Sequence, residues 1–150
     1  MDYKYLITDL DLKKSQKEIG TDKGLAKIGD GIVNLTYSIA KSIYLTKNSV
    51  NNKIIRTGTK VSKKILANAL KNANLKNYAR TRADAHDLAD TAEAIIAYVW
   101  LSKKVALHEI IDFLSNNLSG DLNIRNEEIK GATEAFTKFF NYIDEFLPKQ

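Results

Sequence analysis

Proline occurs once in this chain, at Pro148, and glycine only seven times. Proline removes a backbone donor and clashes with the preceding turn, and glycine is costly inside a helix. A chain almost free of both has little to interrupt helices before its C-terminus. The apolar pattern agrees. From Leu25 to Leu45, residues Ile28, Ile32, Leu35, Ile39 and Ile43 recur three or four apart, as one face of a helix requires. A second helix is expected from about Val61 to Lys76, with Val61, Ile65, Leu66, Ala69, Leu70 and Ala73 inward and Lys60, Lys63, Lys64 and Lys71 outward. The stretch Ala85 to Leu101 is apolar around most of its cylinder, which predicts a deeply placed helix. Leu107 to Leu118 is amphipathic and ends at Ser119-Gly120, a sequence suited to a left-handed cap. Asn126 then caps a last helix that runs toward Pro148. Strand-like alternation is confined to Tyr3 to Ile7, and Thr46 to Thr59, rich in Asn, Ser and Lys, reads as a loop. The expectation is an all-α domain, at least ~60 % helix against a base rate of roughly a third.

The 150 residues read as one domain, 1–150, with no linker and no repeat. There is no cysteine, which excludes disulfides, thiolate metal sites and cysteine nucleophiles. The longest apolar run, Ala92 to Leu101, is half the length of a membrane span, and the opening Met1-Asp2-Tyr3 does not resemble a signal peptide, so the expected location is cytoplasmic. The net charge of +5 suits a polyanionic partner, and equally suits a solvated helix face built from lysine.

Two stretches place acidic residues where an apolar helix should exclude them. In Leu25-Ala26-Lys27-Ile28-Gly29-Asp30-Gly31-Ile32-Val33, Asp30 sits between glycines that cost a helix about 1 kcal/mol each relative to Ala. That cost points to close approach of a backbone or a ligand, or else to a helix start capped by Asp30. In His86-Asp87-Leu88-Ala89-Asp90-Thr91-Ala92-Glu93-Ala94, the spacing of His86, Asp90 and Glu93 puts all three on one helix face. Two carboxylates a turn apart call for a neutralising cation, and oxygen ligands favour Mg2+ or Mn2+. The other reading is a solvated first turn complementing the helix dipole.

Together the two blocks resemble the ribonuclease III catalytic domain. Leu25 to Val33 is similar to its Gly-Asp motif, in a form closer to the mini-ribonuclease III and compact archaeal variants, which lack a double-strand RNA-binding domain. Leu88-Ala89-Asp90-Thr91-Ala92-Glu93-Ala94-Ile95-Ile96 is similar to its second signature. The resemblance implies an all-α, two-fold symmetric homodimer acting as an endoribonuclease on double-stranded or structured RNA. It implies Mg2+, with Mn2+ as an alternative, at Asp30, Asp90 and Glu93, and products bearing a 5′ phosphate and a 3′ hydroxyl. Ala26 stands where main-family members carry a glutamate, which the mini variant also lacks, and Lys23 where many members are acidic. These departures leave open the metal count, with Asp22, Asp87 and His86 as substitutes, and keep in view a catalytically silent member that only binds structured RNA or a ribonucleoprotein. Lys60, Lys63, Lys64, Lys71, Arg80 and Arg82 are the candidate RNA contacts, or a merely solvated face. Ile95, Val99 and Trp100 belong either to a dimer contact or to the monomer core.

Overall fold

A computed structural model describes residues 2–149, and among them 72 % are helical, with no strand. The all-α expectation holds. The helices are α1 (Thr8–Lys13), α2 (Gln16–Gly20), α3 (Lys23–Lys47), α4 (Lys63–Asn72), α5 (Ala85–Leu101), α6 (Leu107–Asn117) and α7 (Arg125–Ile143), with short 3-10 turns between and after them.

Helix α5 is the axle of the molecule. From Leu88 to Val99 all but Asp90 are buried, because α3, α4 and α2 pack around it. Its start is fixed by a reciprocal capping box: Asp84 Oδ1 accepts from the Asp87 N–H at 2.8 Å, and Asp87 Oδ2 accepts from the Asp84 N–H at 3.1 Å. Helix α7 closes the far side with Phe136, Phe139 and Phe140, each fully buried. Glu128 of α7, 5 % exposed, ties this layer to α3. It accepts from the Tyr37 hydroxyl at 2.9 Å and pairs with Lys41 at 2.7 Å and Arg125 at 3.2 Å. Burial opposes the charge on Glu128, but the bonds from Lys41, Tyr37 and Arg125 prevail and hold its carboxyl below the usual range.

Several expectations are corrected. The face of α3 marked by Ile28, Leu35 and Ile39 is exposed, at 39 %, 51 % and 38 %. Ile32 of that stripe is buried as expected, and the buried face runs through Leu25, Ala26, Gly29, Ile32, Val33, Thr36, Tyr37 and Ala40, whose smaller members let α3 lie close to α5. Ile95 and Val99 are fully buried within one chain and Trp100 is half-buried beside Tyr3, so this is core and not a dimer contact. Tyr3 to Ile7 forms no strand: Lys4–Ile7 is a 3-10 turn leading into α1. Asn126 lies inside α7, whose N-cap position is Ile124. Gly120 does adopt a left-handed φ of 83°, but α6 has already ended at Asn117, with Leu118 extended. Among the described residues no helix is long and apolar enough to cross a membrane.

The two glycines flanking Asp30 behave oppositely. A Cβ on Gly29 would stand 1.9 Å from the backbone oxygen of Glu93, whereas one on Gly31 would meet nothing within 4 Å. Gly29→Ala must force α3 off α5 and should cost about 2 kcal/mol or more, the scale of overpacking against an unyielding neighbour. Gly31→Ala should stabilise by up to about 1 kcal/mol through helix propensity. Urea denaturation of the two variants gives opposite shifts if the helix crossing is as described, and equal shifts if it is not.

Candidate active site

Helix α3 starts earlier than its apolar pattern, at Lys23, with Asp22 as the cap: its Oδ1 accepts from the Leu25 N–H at 2.8 Å. Asp30 is therefore no helix start. It lies two turns inside α3, where Gly29 turns its bare Cα to the Glu93 backbone and Asp30 follows on the neighbouring face. Glu93, in the middle of α5, is carried to the same place and is 7 % exposed. The side chains of Asp30, Asp90, Glu93 and His86 all border one open pocket of about 330 Å3, together with Lys23, Lys27, Lys60 and Lys63. One helix face thus does present His86, Asp90 and Glu93 together.

The carboxylates are not equivalent. Burial, then the contact and like charge of Asp30, push Glu93 up to about 8, with Lys63 opposing and Asp90 adding to the shift. Asn34 donates to Asp30 Oδ1 at 3.2 Å and fixes that side chain from one turn further along α3. Asp90 faces ammonium groups instead, Lys23 Nζ at 3.2 Å and Lys63 Nζ at 3.9 Å, with the His86 imidazole Nε2 at 3.6 Å. Lys23, Lys27 and Asn34 are the participants that the sequence reading did not assign. Asn34 was accessible by spacing alone, since it lies four residues after Asp30 on the same stripe.

The remaining candidates are placed elsewhere. Asp22 and Asp87 are caps. Asp87, held below the usual range by the Asp84 N–H and by Arg80, pairs with Arg80 Nη2 at 2.6 Å. Arg80 is accordingly tied to the α5 cap. Lys60 and Lys63 reach the pocket, Lys64 and Lys71 lie exposed on α4, and Arg82 sits exposed in the turn before α5 with φ of 61°.

Among the described residues no group of three or more His, Cys, Asp or Glu side chains is placed to hold a metal ion. The pair Asp30 and Glu93 is nevertheless a fitting donor set for Mg2+, which is commonly held by one or two carboxylates together with water and substrate phosphate. Two carboxylates pressed together and deprived of water are relieved either by a proton or by a cation, and the upward shift of Glu93 measures that need.

The sign of the proton linkage follows. Between the ordinary value of 4.5 and about 8, folded Glu93 holds a proton that the unfolded chain has released. Its contribution to stability therefore falls as pH rises through that window. In metal-free buffer, wild-type protein should lose denaturant resistance between pH 4.5 and 8 relative to Glu93→Gln, which cannot titrate. Parallel pH profiles for the two proteins would remove the buried carboxyl as the cause.

The sequence model of one family, described as Ribonuclease III, matches residues 23–149, a span that contains α3 through α7 and all the pocket residues named above. No curated protein matches the chain. The match covers most of the chain and supports a ribonuclease-like function on structured RNA, so the protein belongs to the ribonuclease III family.

Proposed function

We propose that the chain is an endoribonuclease that hydrolyses phosphodiester bonds in double-stranded or structured RNA, with Mg2+ or Mn2+ at Asp30 and Glu93. The observation that carries this reading is an acidic floor with a basic rim. Two carboxylates from different helices converge at the base of the pocket, while Lys23, Lys27, Lys60 and Lys63 border it. A hydrolase of this type must attract a phosphate and also keep a divalent cation beside it, and a site of one sign could do only one of these.

Bound there, the cation supplies charge neutralisation at the phosphate and acidity to water. The residues do the rest. Glu93, shielded from bulk water by its burial, would hold the cation as a carboxylate together with Asp30. Asp30 is aimed by Asn34. Asp90, the third carboxylate of the set, keeps the ammonium groups of Lys23 and Lys63 at the pocket, where they meet phosphate. Products carry a 5′ phosphate and a 3′ hydroxyl, and the setting is the cytoplasm.

We also propose a homodimer, because one site per subunit about a two-fold axis serves both strands of a duplex. The contact is assigned to the exposed α3 stripe of Ile28, Leu35 and Ile39, in place of the buried residues of α5. Light scattering should give twice the 16.8 kDa chain mass for wild type and a monomer for Leu35→Lys. A monomeric wild type at micromolar concentration defeats the dimer.

Glu93→Gln keeps shape and removes the charge that balances the cation. Duplex RNA cleavage in Mg2+ should fall a hundredfold or more, about 3 kcal/mol in barrier, with folding and chelator-phase RNA binding retained. Cleavage at the wild-type rate in this variant removes Glu93 from the site, and the same result for Asp30→Asn ends the nuclease reading. The silent reading draws on Ala26, Lys23 and the cationic partners of Asp90. It predicts RNA binding by the wild type with no cleavage in Mg2+ or Mn2+.

A further inference from the structure

The segment between α3 and α4 is more ordered than a loop. From Lys53 to Val61 the chain is extended, and its residues alternate between exposed and covered. The covered ones give their backbone groups to a line of side chains four residues apart on α3. Thr46 Oγ1 accepts from the Ile55 N–H at 2.9 Å and donates to its carbonyl at 3.2 Å. Ser38 does the same for Thr59 at 2.8 and 3.2 Å, and Ser42 accepts from the Thr57 N–H at 2.9 Å while sharing its proton between the carbonyls of Ser38 at 2.8 Å and Thr57 at 3.2 Å. Asn34 Oδ1 ends the line by accepting from the Val61 N–H at 2.8 Å. The match is metric: four helical residues rise about 6.0 Å and two extended residues about 6.6 Å, so each rung meets the next with little drift.

The alternate residues Ile54, Arg56, Gly58 and Lys60 turn their backbone N–H and C=O groups the other way, where they meet no hydrogen-bond partner among the described residues. This outer edge is strongly positive. From Gly31 to Ala83 the sequence contains no Asp or Glu and eleven Lys or Arg, although the whole chain carries only +5. Lys53, Arg56 and Lys60 are exposed on the segment, and Lys60 also borders the carboxylate pocket. A Cβ at Gly58 would meet nothing within 4 Å, so its backbone is open to close approach.

We propose that this outer edge binds one RNA strand along its sugar–phosphate backbone and leads it into the Asp30/Glu93 pocket, a reading that rests on the ribonuclease function above. Arg56 and Lys60 neutralise phosphates, and the unpartnered N–H groups donate to phosphate oxygens. The carbonyls between them accept from ribose 2′-hydroxyls, which DNA lacks. The hydroxyl ladder keeps the segment stretched before RNA arrives, so little ordering is paid for on binding. Ser38, Ser42 and Thr46 are thus positioning residues.

The test is duplex RNA binding by the full chain in chelator, over a range of salt, with a DNA duplex of the same sequence alongside. Arg56→Ala/Lys60→Ala should weaken RNA binding tenfold or more at low salt and flatten the logarithmic salt slope by about 1.8, at about 0.9 per phosphate lost. The charge-matched control Lys130→Ala/Lys138→Ala, on the exposed side of α7, should leave the slope near the wild-type value. Ser38→Ala/Ser42→Ala, which removes no charge, should expose Lys53 and Arg56 to trypsin and weaken RNA more than DNA. Arm variants that bind as wild type, while wild type binds and cuts duplex RNA, overturn the arm and leave the nuclease standing. A wild type that binds no duplex RNA overturns both. Conversion of a dimer to monomer by Arg56→Ala/Lys60→Ala, with RNA affinity per chain unchanged, overturns the proposal in favour of a contact between copies.

Discussion

The contact between Gly29 and the backbone of Glu93 governs the rest of the molecule. Helices usually pack at 8–10 Å between axes, a distance set by the side chains at the crossing. Here one partner contributes no side chain at all, and its Cα rests against a peptide carbonyl. Everything chemically distinctive lies one residue from that point. Asp30 follows Gly29, and Glu93 is itself the residue touched. A wider crossing would separate the two carboxylates and hydrate them. The same closeness that removes water from Glu93 is what raises its affinity for a proton.

Helix α3 can serve this crossing because it divides its surface into three stripes. The buried one sets the small residues Ala26, Gly29 and Ala40 among Leu25, Ile32, Val33 and Tyr37, the last reaching across to Glu128. A polar stripe begins at Asp30 and continues at every fourth residue through Asn34, Ser38, Ser42 and Thr46. Asn34 belongs to both halves of it, donating to Asp30 and accepting from Val61. The extended segment is therefore registered to the carboxylate site through a single amide, and a slip of the segment would be felt at Asp30. The third stripe, Ile28, Leu35 and Ile39, is apolar and faces solvent in the single chain.

The stripes also explain how much could be read from the sequence. The extents of α4, α5 and α6 were legible to within a few residues, because their apolar residues are large and their caps are ordinary. Asp30, Asp90 and Glu93 were legible because acids interrupt apolar helices. The facing of α3 was legible only in part: Ile32 is buried as its spacing predicts, but Ile28, Leu35 and Ile39 dominate a periodicity count, while the turns that meet α5 most closely use Ala26, Gly29 and Ala40, which contribute little to it. The ladder was hidden for a different reason. Ser and Thr in a helix ordinarily bond to their own preceding turn, and nothing local says that a segment fifteen residues on will take up the hydroxyl. Lys23 was noted as a departure from the family pattern, yet its consequence, an ion pair with Asp90 across the gap between α3 and α5, exists only in the folded chain.

That ion pair changes how the acidic site balances its charge. Three carboxylates gathered without compensation would repel one another, and the pressure would fall on all three. Lys23, Lys63 and His86 surround Asp90, whereas Glu93, deeper and nearer Asp30, has only the more distant influence of Lys63 in its favour. The charge imbalance is thereby concentrated on one pair at the base of the pocket. The surrounding ammonium groups sit where a phosphate would approach, so the residues that quiet Asp90 also make the entrance positive. Glutamate at Lys23 or Ala26 would spread the negative charge outward and oppose that approach in the absence of metal. The substitutions that depart from the main family pattern thus favour an entrance that admits phosphate without metal, and they leave the Asp30/Glu93 pair, where the proposed reading puts the cation, as the one carboxylate contact among the described pocket residues without a close ammonium partner.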